Sequence, residues 1–146
     1  MAKKDSKLDF QKTVHIKNRK ASFEYHLIDK YIAGMVLKGS EIKSIRLGKV
    51  NLSDAYGLFV GKELWMRALH ITPYEMGGFA NHEGKADRKL LLSKKELRKL
   101  EEGLKENGVT IVPTRLFIND RGWAKIEIAL AKGKKAPDKR ATEKER

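Results

Sequence analysis

Two long apolar runs near the end of the chain are separated by only four residues. Val109 to Ile118 is apolar on both faces, whereas Trp123 to Ala131 sets Ile126, Ile128 and Leu130 against Lys125 and Glu127. A period of two marks a strand, because successive side chains leave a pleated backbone on opposite sides. Asn119-Asp120-Arg121-Gly122 between the runs has the residue types of a tight loop. The runs are therefore expected to fold back on each other as an antiparallel hairpin. Pro113 has no N–H to give to a ladder, so it marks a bulge or an edge.

The rest of the chain reads as shorter pieces. Phe23, Tyr25 and Leu27 alternate with Glu24 and His26 as in a strand, and Gly34 to Leu37 suits a second. Gly39-Ser40 offers a helix N-cap with Glu41 in the first turn. In that short helix Ile42 and Ile45 face the core, Lys43 and Arg46 face elsewhere, and Gly48 ends it. Strands are expected over Ala55–Val60 and Leu64–Ile71, around the turn Gly61-Lys62-Glu63, with Pro73 stopping the second. Tyr74 to Asp87 has no periodicity and reads as a loop, and Arg88 to Leu92 as a brief strand. Ser93-Lys94-Lys95-Glu96 fits a capping box, followed by the stripe Leu97, Leu100, Leu104 and a stop at Asn107-Gly108.

These elements predict a mainly β, α+β fold: an OB-like antiparallel barrel with two or three flanking helices. Residues 1–12 read as a flexible basic arm, 13–131 as the barrel, and 132–146 as a disordered basic tail. That tail holds seven Lys or Arg and no apolar residue larger than alanine, so it has no face to bury.

Charge narrows the partner. The 146 residues include 40% hydrophobic and 35% charged, with a formal net charge of +13. Such an excess repels itself and is best neutralised by a polyanion. No stretch has the ~18–20 apolar residues of a membrane span, and the basic N-terminus lacks the apolar core of a secretory signal. With no cysteine, disulfides and thiol chemistry are excluded. A cytoplasmic nucleic-acid-binding domain is the expectation.

Catalytic constellations are weak by comparison. Gly57 to Lys62 resembles a phosphate loop but has three residues between its glycines, and Glu63 stands where Ser or Thr would hold magnesium. His15, His26, His70 and His82 have no metal-ligand spacing, so neither metal nor cofactor is expected. Glu41-Ile42-Lys43 could belong to a metal-dependent nuclease, or Glu41 could cap a helix beside a basic surface. Binding chemistry is fuller. Basic residues cluster at Lys12, Lys17, Arg19 and Lys20, at Lys43, Arg46 and Lys49, at Arg88-Lys89, and from Lys132 to Arg140. Tyr74 and His82 sit in a loop where a base could stack.

Six blocks in order resemble one family. They are Asn18-Arg19-Lys20-Ala21, Ala33-Gly34 with Gly39 through Asn51, His70 to Glu75, Asn81-His82, Arg88 to Leu92, and Ala129 to Lys135 with Asp138-Lys139-Arg140. Together they resemble small protein B, the SsrA-binding proteins of bacterial ribosome rescue. The resemblance implies a non-catalytic adaptor that binds the tRNA-like domain of tmRNA and delivers it to stalled ribosomes for trans-translation. It implies a tmRNA surface at Asn18, Arg19, Lys20, Glu41, Lys43, Arg46, Asn81, His82, Arg88, Lys89 and Leu91, to which the physical reading adds Lys49 and Tyr74. Leu91 either packs on a base or fills the barrel, and Glu41 either orders neighbouring cations or bonds a ribose or base edge. Lys132, Lys134, Lys135, Asp138, Lys139 and Arg140 would lie against small-subunit ribosomal RNA, in the empty decoding centre and mRNA path. Elongation factor Tu and alanyl-tRNA synthetase would be indirect partners, and the protein a monomer.

The chain departs from the family in places. Ile32 stands where a glutamate is usual, Glu83-Gly84 replaces Asp-Pro, no basic residue lies near Ala86, and Pro137 replaces an aromatic or His. The tail, ending at Arg146, is shorter than usual. The rival readings are an RNA-processing enzyme using Glu41 and Lys43, and a ribosomal structural protein.

Overall fold

The expected hairpin is the spine of the molecule. In the computed structural model, which describes residues 14–73 and 81–134, strand β8 (Val109–Ile118) pairs along its length with β9 (Ala124–Gly133). The register shifts between Pro113 and Arg115, so the proline sits at a bulge. The other strands, in chain order, are β1 (His15–Lys17), β2 (Tyr25–Met35), β3 (Val50–Asn51), β4 (Tyr56–Val60), β5 (Glu63–Arg67), β6 (His70–Ile71) and β7 (Arg88–Leu91).

The main sheet runs β1-β8-β4-β5-β7-β2-β9, all antiparallel, and the β8–β9 pairing closes six of its strands into a ring. This is the OB-like arrangement, and closure removes the exposed edges an open sheet would leave. Inside the ring Leu64, Met66, Ile111, Leu116, Ile126 and Ile128 are fully buried. That face accounts for the alternation in β9. The other face of β8 and β9 is covered locally too: Ala21 packs with Val112 and Ala131, which is why the first run is apolar on both faces.

Three helices flank the ring: α1 (Arg19–Glu24), α2 (Gly39–Arg46) and α3 (Lys94–Gly103). In α3 the capping box forms as expected, with the Glu96 N–H donating to Ser93 Oγ and the Ser93 N–H to Glu96 Oε1. Leu100 is fully buried, and Leu97 and Leu104 pack beside it. The α3 helix stops at Gly103, ahead of the expected Asn107-Gly108, and Gly103 lies tight against Leu130.

Four expectations are corrected. Phe23 is not in a strand. It lies on α1 and is exposed, and β2 begins at Tyr25 and runs as one strand to Met35, with a register shift between Leu27 and Asp29, where two strands were expected. A six-residue helix is too short to stand on propensity. It forms because Asn18 caps it and ties it to the body. The run Leu64–Ile71 is likewise not one strand. Ala68 takes φ +60, β5 stops at Arg67, and His70–Ile71 crosses to pair with β3. Ser40 is not the cap of α2. Lys38 is the N-cap residue, and its N–H donates to Glu41 Oε1 at 2.7 Å. Finally, β9 runs on to Gly133, so Lys132 belongs to the ladder, opposite His26 and Val109, and not to a tail. At the end of α2, Gly48 takes φ +75, the left-handed turn expected of it.

Candidate nucleic-acid interface

The start of α2 packs against the segment 81–88 around one buried ion pair. Glu41 and Arg88 are almost fully buried, and Arg88 Nε donates to Glu41 Oε2 at 2.6 Å. Arg88 Nη1 donates to the carbonyls of Leu69 and Ala86, and Nη2 to those of Glu83 and Gly84. All five guanidinium N–H groups are therefore used. Leu69 follows the left-handed Ala68, so Arg88 clamps the point where the chain changes sheets. Gly84 lies so close to His70 that a Cβ there would come within 2.7 Å of the ring. The departure Glu83-Gly84 thus supplies two carbonyls to Arg88 and the space the fold needs.

His82 belongs to the same frame. It is buried, with Nε2 donating to the Ile71 carbonyl at 2.8 Å. Its Nδ1 is left to accept from Ser40 Oγ at 2.8 Å, from the second residue of α2. Val36, Lys38, Asn81, Asp87 and these buried groups line a cleft of about 530 Å³.

Four residues expected on an RNA surface have their side-chain polar groups engaged within the fold. Arg88 and Glu41 bond each other and nearby backbone, both ring nitrogens of His82 have partners, and the Asn18 amide is engaged by backbone on three sides. Asn18 Oδ1 accepts from the Ala21 N–H, and Nδ2 donates to Pro113 O at 2.8 Å and Leu52 O at 3.3 Å. Glu41 orders a neighbouring cation, Arg88, in this geometry.

The remaining cations stay at the surface. Arg19 and Lys20 are exposed on α1, with Lys20 3.4 Å from Asp54. Lys43 and Lys49 are exposed, and Arg46 is half-buried, its guanidinium reaching the β8–β9 loop at Gly122. Lys89 Nζ lies 3.0 Å from Glu63. Hydrogen bonding and charge from Lys89 hold the Glu63 carboxyl below the ordinary carboxylate range. Pairs this exposed contribute little, so a phosphate can compete for Lys20 and Lys89. Asn81 is half-buried, and its Oδ1 accepts from the His82 N–H.

Leu91 does not fill the barrel. Its neighbour Leu90 does, while Leu91 is 51% exposed and closes over Gly34 beside Lys125 Nζ. Ile32, two residues along β2 on that outer face, is half exposed as well. Lys125 was legible only as the outward parity of a strand; the β2–β9 register brings it next to Leu91. Lys134 sits just past β9, donating from its N–H to the Glu24 carbonyl and from Nζ to the Ser22 carbonyl. Lys132 Nζ pairs with Glu106. Both root the tail rather than extend in it. Tyr74, Lys135, Asp138, Lys139 and Arg140 lie outside the described residues. Among the described residues no acid or histidine cluster could hold a metal ion, and no helix is long and apolar enough to cross a membrane.

A family model described as SmpB protein matches residues 15–146. The chain belongs to the SmpB family. The SsrA-binding protein of Phocaeicola vulgatus is 59% identical over 91% of this chain and 89% of its own length. That of Agrobacterium fabrum is 47% identical over 100% of this chain and 91% of its own. Among solved structures, a chain from "tmRNA-SmpB: a journey to the center of the bacterial ribosome" superposes with a TM-score of 0.72. It is 43% identical, covering 84% of this chain and 85% of that one. The SmpB resemblance read from the six sequence blocks is therefore correct.

Proposed function

We propose that this SmpB protein is an RNA-binding adaptor that binds the tRNA-like domain of tmRNA and delivers it to stalled ribosomes for trans-translation. The likeness to the tmRNA–SmpB structure over 84% of the chain carries the reading. The net charge of +13 supports it, since a polyanion neutralises the excess. The proposed tmRNA surface comprises Lys43, Arg46 and Lys49, Lys89 and Leu91, Arg19 and Lys20, and Asn81. Asn18, Glu41, His82 and Arg88 hold that surface in place.

In the same proposal the tail from Lys135 on, with Asp138, Lys139 and Arg140, occupies the decoding centre and mRNA path of the small subunit. Elongation factor Tu and alanyl-tRNA synthetase act on the tmRNA and so are indirect partners. The protein works as a monomer in the cytoplasm and carries out no chemistry itself. The nuclease alternative needs a carboxylate free to work, and both oxygens of Glu41 are engaged, one by the Lys38 N–H and one by Arg88.

Capture from a bacterial lysate tests the reading. Sequencing of the co-purified RNA is expected to show tmRNA far above its cellular share. A spread of RNAs without tmRNA enrichment would sink it.

A further inference from the structure

The tip of the β8–β9 hairpin holds an indole out into water on a stiff support. Trp123 is 65% exposed. Its loop is pinned by the side chain and backbone of Asn119. Asn119 Oδ1 accepts from the N–H groups of Arg121 and Trp123, the Asn119 N–H donates to Trp123 O, and the Gly122 N–H donates to Asn119 O. With the backbone already pinned, covering the indole orders only its own two side-chain torsions, which favours it as an anchor.

Cations outnumber the one acid of its loop, Asp120. Arg121 lies in the same loop, and Arg46 reaches the loop from α2 at Gly122. Lys125, two residues on, shares the outward parity. An exposed aromatic with cations in its own loop, on the adjoining α2 and two residues along β9 suits an unpaired RNA base, with the base on the indole and the neighbouring phosphates on the cations. Arg46 and Lys125 also connect the tip to α2 and to the Leu91 face, so the tip is continuous with the proposed tmRNA surface.

We propose that Trp123 is a stacking platform for an unpaired base of the tRNA-like domain of tmRNA, with Arg121 meeting an adjacent phosphate. The proposal rests on the tmRNA-binding reading and deepens it. It is tested by measuring affinity for the isolated tRNA-like domain, across salt, for Trp123→Ala, Trp123→Phe and Arg121→Ala. Trp123→Ala should weaken binding about tenfold to a hundredfold while leaving the slope of log K against log salt unchanged, because stacking releases no counterions. Trp123→Phe should recover most of the loss. Arg121→Ala should lower the slope by about one.

Several results would overturn it: Trp123→Ala binding within twofold of the unaltered protein, Trp123→Phe losing as much as Trp123→Ala together with a lowered melting temperature, or a loss seen only with purified small ribosomal subunits. Each is read against unaltered protein that binds tmRNA tightly. Failure of that reference would instead strike the functional reading itself.

Discussion

Replacing Glu41 with Gln separates a structural role from an RNA contact. The substitution keeps the shape and an acceptor oxygen but removes the charge facing Arg88. Arg88 would remain almost fully buried, its Nε 2.6 Å from a neutral amide. Stranding one partner of a buried ion pair costs about 3–5 kcal/mol. Against a total stability of roughly 5–15 kcal/mol, that is a large share. For a domain of this size each kcal/mol moves the midpoint by roughly 2–4 °C, so Glu41→Gln should melt roughly 6–20 °C below the parent. Thermal unfolding followed by circular dichroism reads the shift. Below the variant's transition, affinity for the tRNA-like domain should stay within about threefold. A melting point within about 2 °C of the parent, with affinity lost, would refute the reasoning and return Glu41 to the interface.

Other consequences follow from the same geometry. Asn18→Ala should destabilise by at least the ~1–2 kcal/mol of a lost cap, since Pro113 O loses its donor as well; urea unfolding measures it. Burial pushes the Glu127 carboxyl up, but hydrogen bonds from Arg115 and Thr114 and the charges of Arg115 and Lys30 outweigh it and hold it below the ordinary range. A depressed carboxyl stabilises the fold above its unfolded pKa, near the ordinary 4.5, and that gain fades as pH falls further. Glu127→Gln should therefore unfold with less acid sensitivity below about pH 4.5 in a pH series of melting curves. Removing residues 135–146 should leave tmRNA affinity unchanged and abolish tagging of a stalled peptide in a reconstituted translation system. Persistence of tagging would show that the tail is dispensable.

What was legible in the sequence was local or periodic. The β8 strand appears with the limits its pattern indicates, the bulge falls at Pro113, and the α3 capping box forms from residues three apart. The rest depends on contacts distant in sequence. Asn18 nucleates α1 only because Pro113 and Leu52 bring their carbonyls to it. Arg88 has the composition of a phosphate ligand, and nothing near it in sequence reveals that Glu41, 47 positions away, and a ring of carbonyls consume its donors. Glu41 itself carried a usable signal, as an acid in the first turn of a helix beside cations. Ala68 had none, because an alanine in an apolar run gives no sign of a left-handed turn. Trp123 read as the first residue of a strand; its exposure comes from the loop that holds it.

Paired substitution of Lys43 and Arg46 on α2 tests the central claim most directly. Titration of the tRNA-like domain of tmRNA and of an unrelated hairpin RNA of equal length, from ~50 to ~200 mM salt, gives both selectivity and charge dependence. The unaltered protein should prefer the tRNA-like domain on the order of a thousandfold. With about six phosphate contacts it should lose roughly a thousandfold in affinity over that range. Lys43→Ala with Arg46→Ala should reduce the salt slope by roughly two while the melting temperature holds. Equal affinity for the two RNAs, or an unchanged slope in the paired variant, would contradict an α2-centred tmRNA surface.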